Sequence, residues 1–579
     1  MNTYQQKINR LAALPRIPLD DIFVCGLERE TMRVDAQGVI ADTQHPEKLG
    51  LALTNKYITT DFAESLIELV TPPFNNTNDM IGFSKSLHSF IATNLGGEYL
   101  WPASMPPILP DPENFNIATY GKSHQGQLRH IYRRGLSIRY GRRMQAIAGV
   151  HFNLSLGAKF QEYYNEIQGD NIKGDNIKGG SIKGNNTQED RIAADAKNNY
   201  HNPLCRNTIY LNILRNYIRK SWLINYLFGS SPIVDKSFLQ GQDVPSFLKK
   251  FGKSSYYNDK STCLRMGRLG YNNRKQVELN VCFNKIEEYI STIKKLTAKS
   301  DEQYATLGIK DAQGEYQQLN TNLLQIENEY YAPIRPKAVR RHDQKTLDVL
   351  MENGTEYLEI RNLDIDPFSP WGIDEDCIRF MQLFLLYLSL EPSPSISREE
   401  CQSIRKLEDV IVMTNLDSDR DYDFIGNNVL NISDSASSVL AEMQPLAEYL
   451  DSCPTSSKGG FSYTDALAKQ KDVIDNDELL PAKRQLKFLK DLTGGGGRGS
   501  TGNLASGDEY LGGDFSEGMN NLAQQHLHTY QEHIKTDEYK KFAPDIEEQV
   551  ARSIKEEQEI LAQQKSDKPM GEVITEYLG

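Results

Sequence analysis

The chain has 579 residues and a mass of 65.7 kDa, which at about 150 residues per domain allows about four units, or two or three larger ones. Its 65 Lys and Arg against 78 Asp and Glu leave a net charge of −13, which excludes general nucleic-acid binding, where phosphate contacts demand a basic face. Apolar residues at 39% and charged residues at 25% are those of a globular chain able to bury a large core, and a mean hydropathy of −0.55 reads as soluble.

In chain order, Met1 to Asp20 holds no uninterrupted apolar run, so no secretory signal is expected. Ile22 to Met32 reads I-F-V-C-G-L-E-R-E-T-M. As a strand it puts Phe23, Cys25 and Leu27 on one face and Glu28 and Glu30 on the other, with the two glutamate Cα atoms about 6.6–6.8 Å apart. Leu66 to Thr71 sets Glu68 against Ile67 and Leu69 in the same way. Met80, Phe83, Leu87, Phe90 and Leu95 recur at helical spacing and stop at Gly96-Gly97, predicting a helix over 79–95. In Gln145 to Leu156, Val150, Phe152 and Leu154 alternate with His151, Asn153 and Ser155.

Residues 171 to 185 are a five-residue unit repeated three times, NIKGD-NIKGG-SIKGN. Its glycines break helix and it offers little apolar surface, so 168–190 is expected to be a low-complexity surface insertion. Further helices are predicted over 204–228, 284–300 and 374–390. The apolar run Phe380 to Leu390 is 11 residues long, against about 20 for a membrane span, and reads as a buried helix. Between the last two, Glu356 to Leu363 alternates Leu358 and Ile360 with Tyr357, Glu359 and Arg361. Thr493 to Gly518 is glycine-rich but lacks the lysine of a phosphate-binding loop, so 493–518 is expected to be a linker between a catalytic domain over 1–492 and a helical segment over 519–579. In that segment Ile546, Val550, Ile554 and Leu561 mark one face of a helix from Pro544 to Gln564. Helices and strands do not alternate regularly, which points to an α+β arrangement. The seven cysteines are scattered without a C-x-x-C, so neither a zinc site nor a disulfide framework is expected and a reducing cytoplasm is the simplest location.

Each charged strand taken singly is what any half-buried antiparallel strand looks like. Together their polar faces are dominated by glutamates with one histidine and one arginine. If the strands share a sheet, Glu28, Glu30, Glu68, His151 and Glu359 converge. Like charges that close repel, and some of the carboxylates take up protons unless a cation intervenes; Mg2+ or Mn2+ suits oxygen donors with one imidazole. Glu28 and Glu30 as the acid and nucleophile of a glycosidase remain open, though the other acids then lack a role. Arg129, Arg133, Arg134, Arg139, Arg142 and Arg143 precede His151, and Arg265, Arg268, Arg335 and Arg361 follow it. Arginine beside a carboxylate cup fits phosphate or carboxylate handling, and the same residues could equally be surface salt bridges.

The runs GLERETMRV (Gly26 to Val34), TTDFAESLIELVTP (Thr59 to Pro72), QAIAGVHFNLSL (Gln145 to Leu156), LQIENEYYAPIRPK (Leu324 to Lys337) and EYLEIRNLDIDPFSP (Glu356 to Pro370) resemble the glutamate–cysteine ligases of the proteobacterial type. The resemblance covers 15–160 and 195–400 in matching order, leaving the repeats outside it. It implies a glutamine-synthetase-like fold with a curled antiparallel sheet forming a funnel-shaped active site, surrounded by helices. It also implies ATP-dependent joining of the glutamate γ-carboxylate to the cysteine amine, the first step of glutathione synthesis. By that resemblance Glu28, Glu30, Asp61, Glu68, His151 and Glu359 hold Mg2+, with Mn2+ as a substitute. Arg133 and Arg361 meet the transferred phosphoryl group, and Tyr132, Arg265, Tyr271 and Tyr331 line the cysteine pocket. Partners would then be glutamate, cysteine and ATP, with no nucleic acid and no membrane, and a monomeric state is compatible. A hydrolase using paired carboxylates is the competing reading, separated by ADP release that requires both glutamate and an amine. A metal-binding scaffold without activity is a third, set against the chemically competent side chain at every implied position.

Overall fold

The computed structural model describes residues 3–168, 203–270, 279, 281–340, 344–416, 421–424, 428–456, 462–494, 513–564 and 568–578. The repeats, most of the glycine-rich stretch and Tyr271 therefore lie outside the described residues. The strands are β1 (Phe23–Val34), β2 (Ile58–Thr60), β3 (Leu66–Val70), β4 (Tyr99–Leu100), β5 (Val150–Leu156), β6 (Ile233–Asp235), β7 (Lys249–Phe251), β8 (Ser255–Tyr257), β9 (Ile334–Lys337), β10 (Tyr357–Leu363), β11 (Asp421–Phe424) and β12 (Asn428–Asn431). The central sheet runs β2-β3-β1-β5-β10-β9, with β4 pairing the end of β1. Every pairing within it is antiparallel. Helices surround it, so the architecture is α+β.

Register does what the alternation predicted. Glu28 stands opposite His151, and Glu30 opposite Glu68. Glu359 stands opposite Asn153 on one side and Arg335 on the other. Residues directly opposite share a face, so these side chains collect on one side while Phe23, Cys25, Leu27, Phe152, Leu154, Leu358 and Ile360 enter the core. β10 carries one irregularity: its register against β5 shifts between Ile360 and Leu363. One extra residue there makes a bulge at Arg361-Asn362, a device that redirects a side chain.

The helix expected over 79–95 is Thr77–Thr93, started by the Asn76 side chain accepting hydrogen bonds from the Asn78 and Asp79 amides. Those expected over 204–228, 284–300 and 374–390 are Pro203–Phe228, Ile286–Ala298 and Glu375–Leu390. Glu375–Leu390 is buried on all sides from Cys377 to Leu390, as a helix apolar around its whole circumference must be. A helix that no expectation included, His124–Tyr140, carries Arg129, Tyr132 and Arg133.

The tail departs from expectation in two ways. Its helix is Asp537–Gln563, with Pro544 inside rather than at its start, because Thr536 caps it by accepting from the Tyr539 amide. Its buried face is Phe542, Ile546, Gln549, Ser553 and Glu557, while Ile554 and Leu561 of the expected stripe are exposed. Phe542 and Ile546 join Leu69, Phe83 and Leu87 in a second core behind β3. The ends of the glycine-rich stretch are helical: Pro481–Gly494 runs into it and Phe515–His533 begins within it.

Candidate active site

Glu28 and His151 are cross-strand neighbours, and Glu28 Oε2 lies 3.0 Å from His151 Nδ1. Glu28 Oε1 accepts a hydrogen bond from Asn153 Nδ2 at 2.7 Å. The other imidazole nitrogen, Nε2, lies 3.6 Å from Glu30 Oε1, and Glu30 Oε2 accepts from the Gly149 amide at 3.1 Å. Glu359 Oε1 lies 3.4 Å from Lys337 Nζ, and its Oε2 lies 3.3 Å from Arg361 Nη1. Donor atoms of Glu28, His151 and Glu359 all fall within 4.8 Å of one another, close enough to share an ion.

The electrostatics separate these acids into two groups. Burial pushes the Glu359 carboxyl up, but Lys337, Arg361, Arg335 and His151 outweigh it and hold the group well below the carboxylate range. Burial and Glu359 also push on Glu28, and the His151 hydrogen bond with Lys337 brings it down. Glu68 goes the other way: burial, then Glu28, Asp61 and Glu30, raise it well above its ordinary value. Burial and Asp61 raise Glu30 as well, against the pull of His151. A carboxyl pushed up mainly by burial and like charges is short of positive charge, and the oxygen-rich donor set with one imidazole fits a hard divalent cation.

Arg133 crosses to the end of β2, where its guanidinium donates to the Asp61 and Thr60 carbonyls and lies 4.6 Å from the Tyr120 ring centroid. Alternation along β10 puts Arg361 on the face of Glu359, and its guanidinium lies over Tyr331, 5.9 Å from that ring's centroid. On the core side Asn362 fixes the bulge, accepting from the Tyr217 hydroxyl and donating to Asn225. Arg265 is 1% exposed, with Nη2 donating to the Arg361 carbonyl at 2.7 Å and Nη1 3.5 Å from Asp364. Its head passes so close to Gly149 that a Cβ there would lie 2.1 Å from Nη2. The Tyr331 hydroxyl lies 3.2 Å from Met266 Sδ, and burial pushes it up to about 12. Tyr132 sits on the face of the His124–Tyr140 helix that packs near Leu319 and Ile326.

The structure thus gathers Glu28, Glu30, Glu68, His151, Glu359 and Arg361, with Asp61 and Arg133 at one edge and Arg265 and Tyr331 beneath. Other arginines of the sequence cluster hold the fold instead: Arg134 pairs with Asp311, Arg139 with Glu329, Arg143 with Glu113 and Arg268 with Asp409. Lys337 and Asn153 were not singled out by sequence reasoning. Lys337 shares the strand-face alternation of Arg335, two residues before it, which was the available signal.

An acid-lined cup with arginines at its edge has the donors to hold a divalent cation and the guanidinium groups to meet an anion. The sequence profile of glutamate-cysteine ligase matches residues 11–183 and 187–411, with its one break inside the repeat region. The glutamate–cysteine ligase of Hahella chejuensis is 39% identical over 467 residues, 79% of this chain and 82% of that protein. That of Azotobacter vinelandii is 38% identical over 466 residues, 80% of this chain and 82% of that protein. Among solved structures, the Francisella tularensis glutamate–cysteine ligase in complex with AMP has the same fold, with a TM-score of 0.79 at 24% identity, covering 97% of this chain and 99% of that one. A bifunctional glutathione synthetase from Pasteurella multocida aligns with a TM-score of 0.61 at 20% identity, over 92% of this chain and 55% of that one. The chain belongs to the glutamate–cysteine ligase family, ATP-dependent carboxylate–amine ligases.

Proposed function

We propose that the cup is where the chain joins the γ-carboxylate of L-glutamate to the amine of L-cysteine with ATP, giving γ-glutamylcysteine, ADP and phosphate. The observation that carries this is the meeting of Glu28, His151 and Glu359 donor atoms within 4.8 Å, beside Arg361. We read the sheet as the wall of a glutamine-synthetase-like funnel with the acids lining it.

The γ-carboxylate is a poor acyl donor because oxide is a bad leaving group. Transfer of the ATP γ-phosphoryl makes γ-glutamyl phosphate; the cysteine amine then attacks the acyl carbon and phosphate departs. Glu28, Glu30, Asp61, Glu68, His151 and Glu359 would hold Mg2+, with Mn2+ as a substitute, and the ion supplies charge neutralisation between two anionic reactants. Arg361 and Arg133 take the oxygens of the phosphoryl group in flight. Arg265 receives the cysteine carboxylate, with Tyr331 and Tyr132 closing that pocket; Tyr271, outside the described residues, is assigned to it by its sequence motif alone. Among the described residues no helix is long and apolar enough to cross a membrane and Cys25, Cys263, Cys282, Cys377, Cys401 and Cys453 are free thiols, which supports a cytoplasmic enzyme.

The test is ADP release with Mg2+ and ATP across a panel of amino-acid pairs. Glutamate with cysteine should lead, and a clear preference for another pair would redirect the assignment. Glu359→Ala should lower kcat by about a thousandfold or more, as loss of transition-state charge stabilisation does. A variant with near-normal turnover would remove Glu359 from the machinery.

A further inference from the structure

Along β10, Arg361, Glu359 and Tyr357 share the polar face, successive positions about 6.6–6.8 Å apart. Arg265 and Tyr331 lie at the Arg361 end. At the other end Tyr357 stands opposite Lys337 of β9, one step beyond the Glu359–Arg335 pair. The two cations of β9 are employed differently. Arg335 is buried and donates to the Asn328 and Tyr330 carbonyls. Lys337 has a side chain 21% exposed, and its Nζ lies 3.4 Å from Glu359 Oε1, the one carboxylate within salt-bridge reach of it among the described residues. Burial raises the Glu359 carboxyl, and Lys337 leads the charges that bring it down; it acts on Glu28 in the same sense. The ammonium is therefore directed at the donor group of Glu28, His151 and Glu359. A divalent cation there would draw on the same Glu359 carboxylate and repel an ammonium so close, so Lys337 needs a second anion whenever the ion is bound.

We propose that Lys337 binds the β-phosphate of the nucleotide, exchanging the Glu359 carboxylate for a phosphate oxygen when ATP arrives with its cation. This rests on the reading of the cup as the ligase site. There the γ-phosphoryl group meets Arg361 and Arg133, and cysteine occupies the Arg265 end. The rest of the nucleotide then runs toward Tyr357, and Lys337 is the cation at that end which touches the metal-binding acids. A lysine suits the task, being a point charge on a flexible four-carbon stem that can leave one anion for another. As the bond from the γ-phosphorus to the bridging oxygen breaks, its electron pair stays on the β-phosphate, and the ammonium offsets the charge gathering there. Lys337 thus keeps ADP in place while the phosphoryl group passes to the γ-carboxylate.

The full chain is titrated calorimetrically with ADP and with AMP in saturating Mg2+, without amino acids. The unaltered protein should bind ADP more tightly than AMP. Lys337→Met should weaken ADP about tenfold or more, the size of one lost charge-assisted hydrogen bond, and leave AMP within about twofold. Lys337→Arg, which keeps the charge, should recover most of the loss, and AMP binding shows that both variants are folded. In steady-state kinetics the KM for ATP should rise in the Lys337→Met variant while the KM for glutamate holds. A loss shared equally by ADP and AMP, or no loss, overturns the proposal. A rise in the KM for glutamate alone overturns it too, giving Lys337 to the amino acid's α-carboxylate. Glu359→Ala tests the underlying reading: unchanged ADP binding in that variant takes the nucleotide out of the cup altogether. If Glu359→Ala weakens ADP and Lys337→Met does not, only the role of Lys337 fails.

Discussion

Gly149 is glycine because of what passes beside it. Its φ is not in the left-handed region, yet a Cβ would collide with the Arg265 guanidinium at 2.1 Å. Gly149→Ala should therefore push Arg265 aside and raise the KM for cysteine about tenfold, the size of one lost charge-assisted hydrogen bond. The thermal midpoint should fall as well, because the displaced guanidinium leaves the Arg361 carbonyl and Asp364 at a cost of about 1–3 kcal/mol, and an unchanged KM in steady-state kinetics would take Arg265 out of the cysteine pocket. At this scale much of the site was legible, since period-2 alternation put Glu28, Glu30, Glu68, His151, Glu359 and Arg361 on polar faces before any strand order was known. Lys337 was not legible as a neighbour of Glu359. That contact exists because β9 pairs with β10, and pairing partners are set by the whole fold.

Among the elements, the bulge in β10 shows how a core residue can govern a polar site. Asn362 is 2% exposed and tied to Tyr217 and Asn225 of the Pro203–Phe228 helix, so the extra residue is fixed from behind while Arg361 faces the cup. Asn362→Leu strands those partners and should cost about 1–3 kcal/mol of stability. If the bulge aims Arg361, kcat should fall with little change in the KM for cysteine. Urea unfolding alongside kinetics separates the two effects, and a destabilised variant with normal kcat would deny the bulge its positioning role. Periodicity predicted five helices whose cores the structure retains, but it could not show a one-residue slip in register. It also placed the tail helix too late, because Pro544 resembles a first-turn proline and the true cap, Thr536, stands ahead of a polar stretch. The His124–Tyr140 helix escaped notice because its buried positions are few: Gly126, Leu128, Ile131 and Gly135.

For the molecule as a whole, the part least readable was the closure of the sheet's back by residues 515–563, a region beyond the end of the family match. Phe542 packs its ring 5.6 Å from that of Phe83, and Phe542→Ala should cost about 3–5 kcal/mol. Its kcat at low temperature should stay near normal, since the cup lies on the other side; a large loss of kcat would mean that the tail shapes the site directly. Buried histidines tie the same layers to solution pH. Burial and Arg29 push His88 well below its ordinary value and His526 down to about 3, and burial with Arg33 takes His45 to about 4. Each binds a proton more readily unfolded than folded, so its contribution is complete above about pH 6.5 and is lost as pH falls, by about 1.4 kcal/mol per unit until the folded value is reached. Denaturation midpoints between pH 7 and 5 should fall steeply, and His526→Gln should flatten that slope; an unaltered slope would assign it to other groups.

The sheet order also sets a timetable for synthesis. β1 leaves the ribosome early, but its neighbours β5 and β10 and the helices that cover its back are translated much later. Glu28 must wait for Glu359, and Phe83 must wait for Phe542. Until residues 537–563 emerge, the apolar patch of Leu69, Phe83 and Leu87 lacks the Phe542 and Ile546 that cover it, a transiently bare surface of the kind that promotes aggregation.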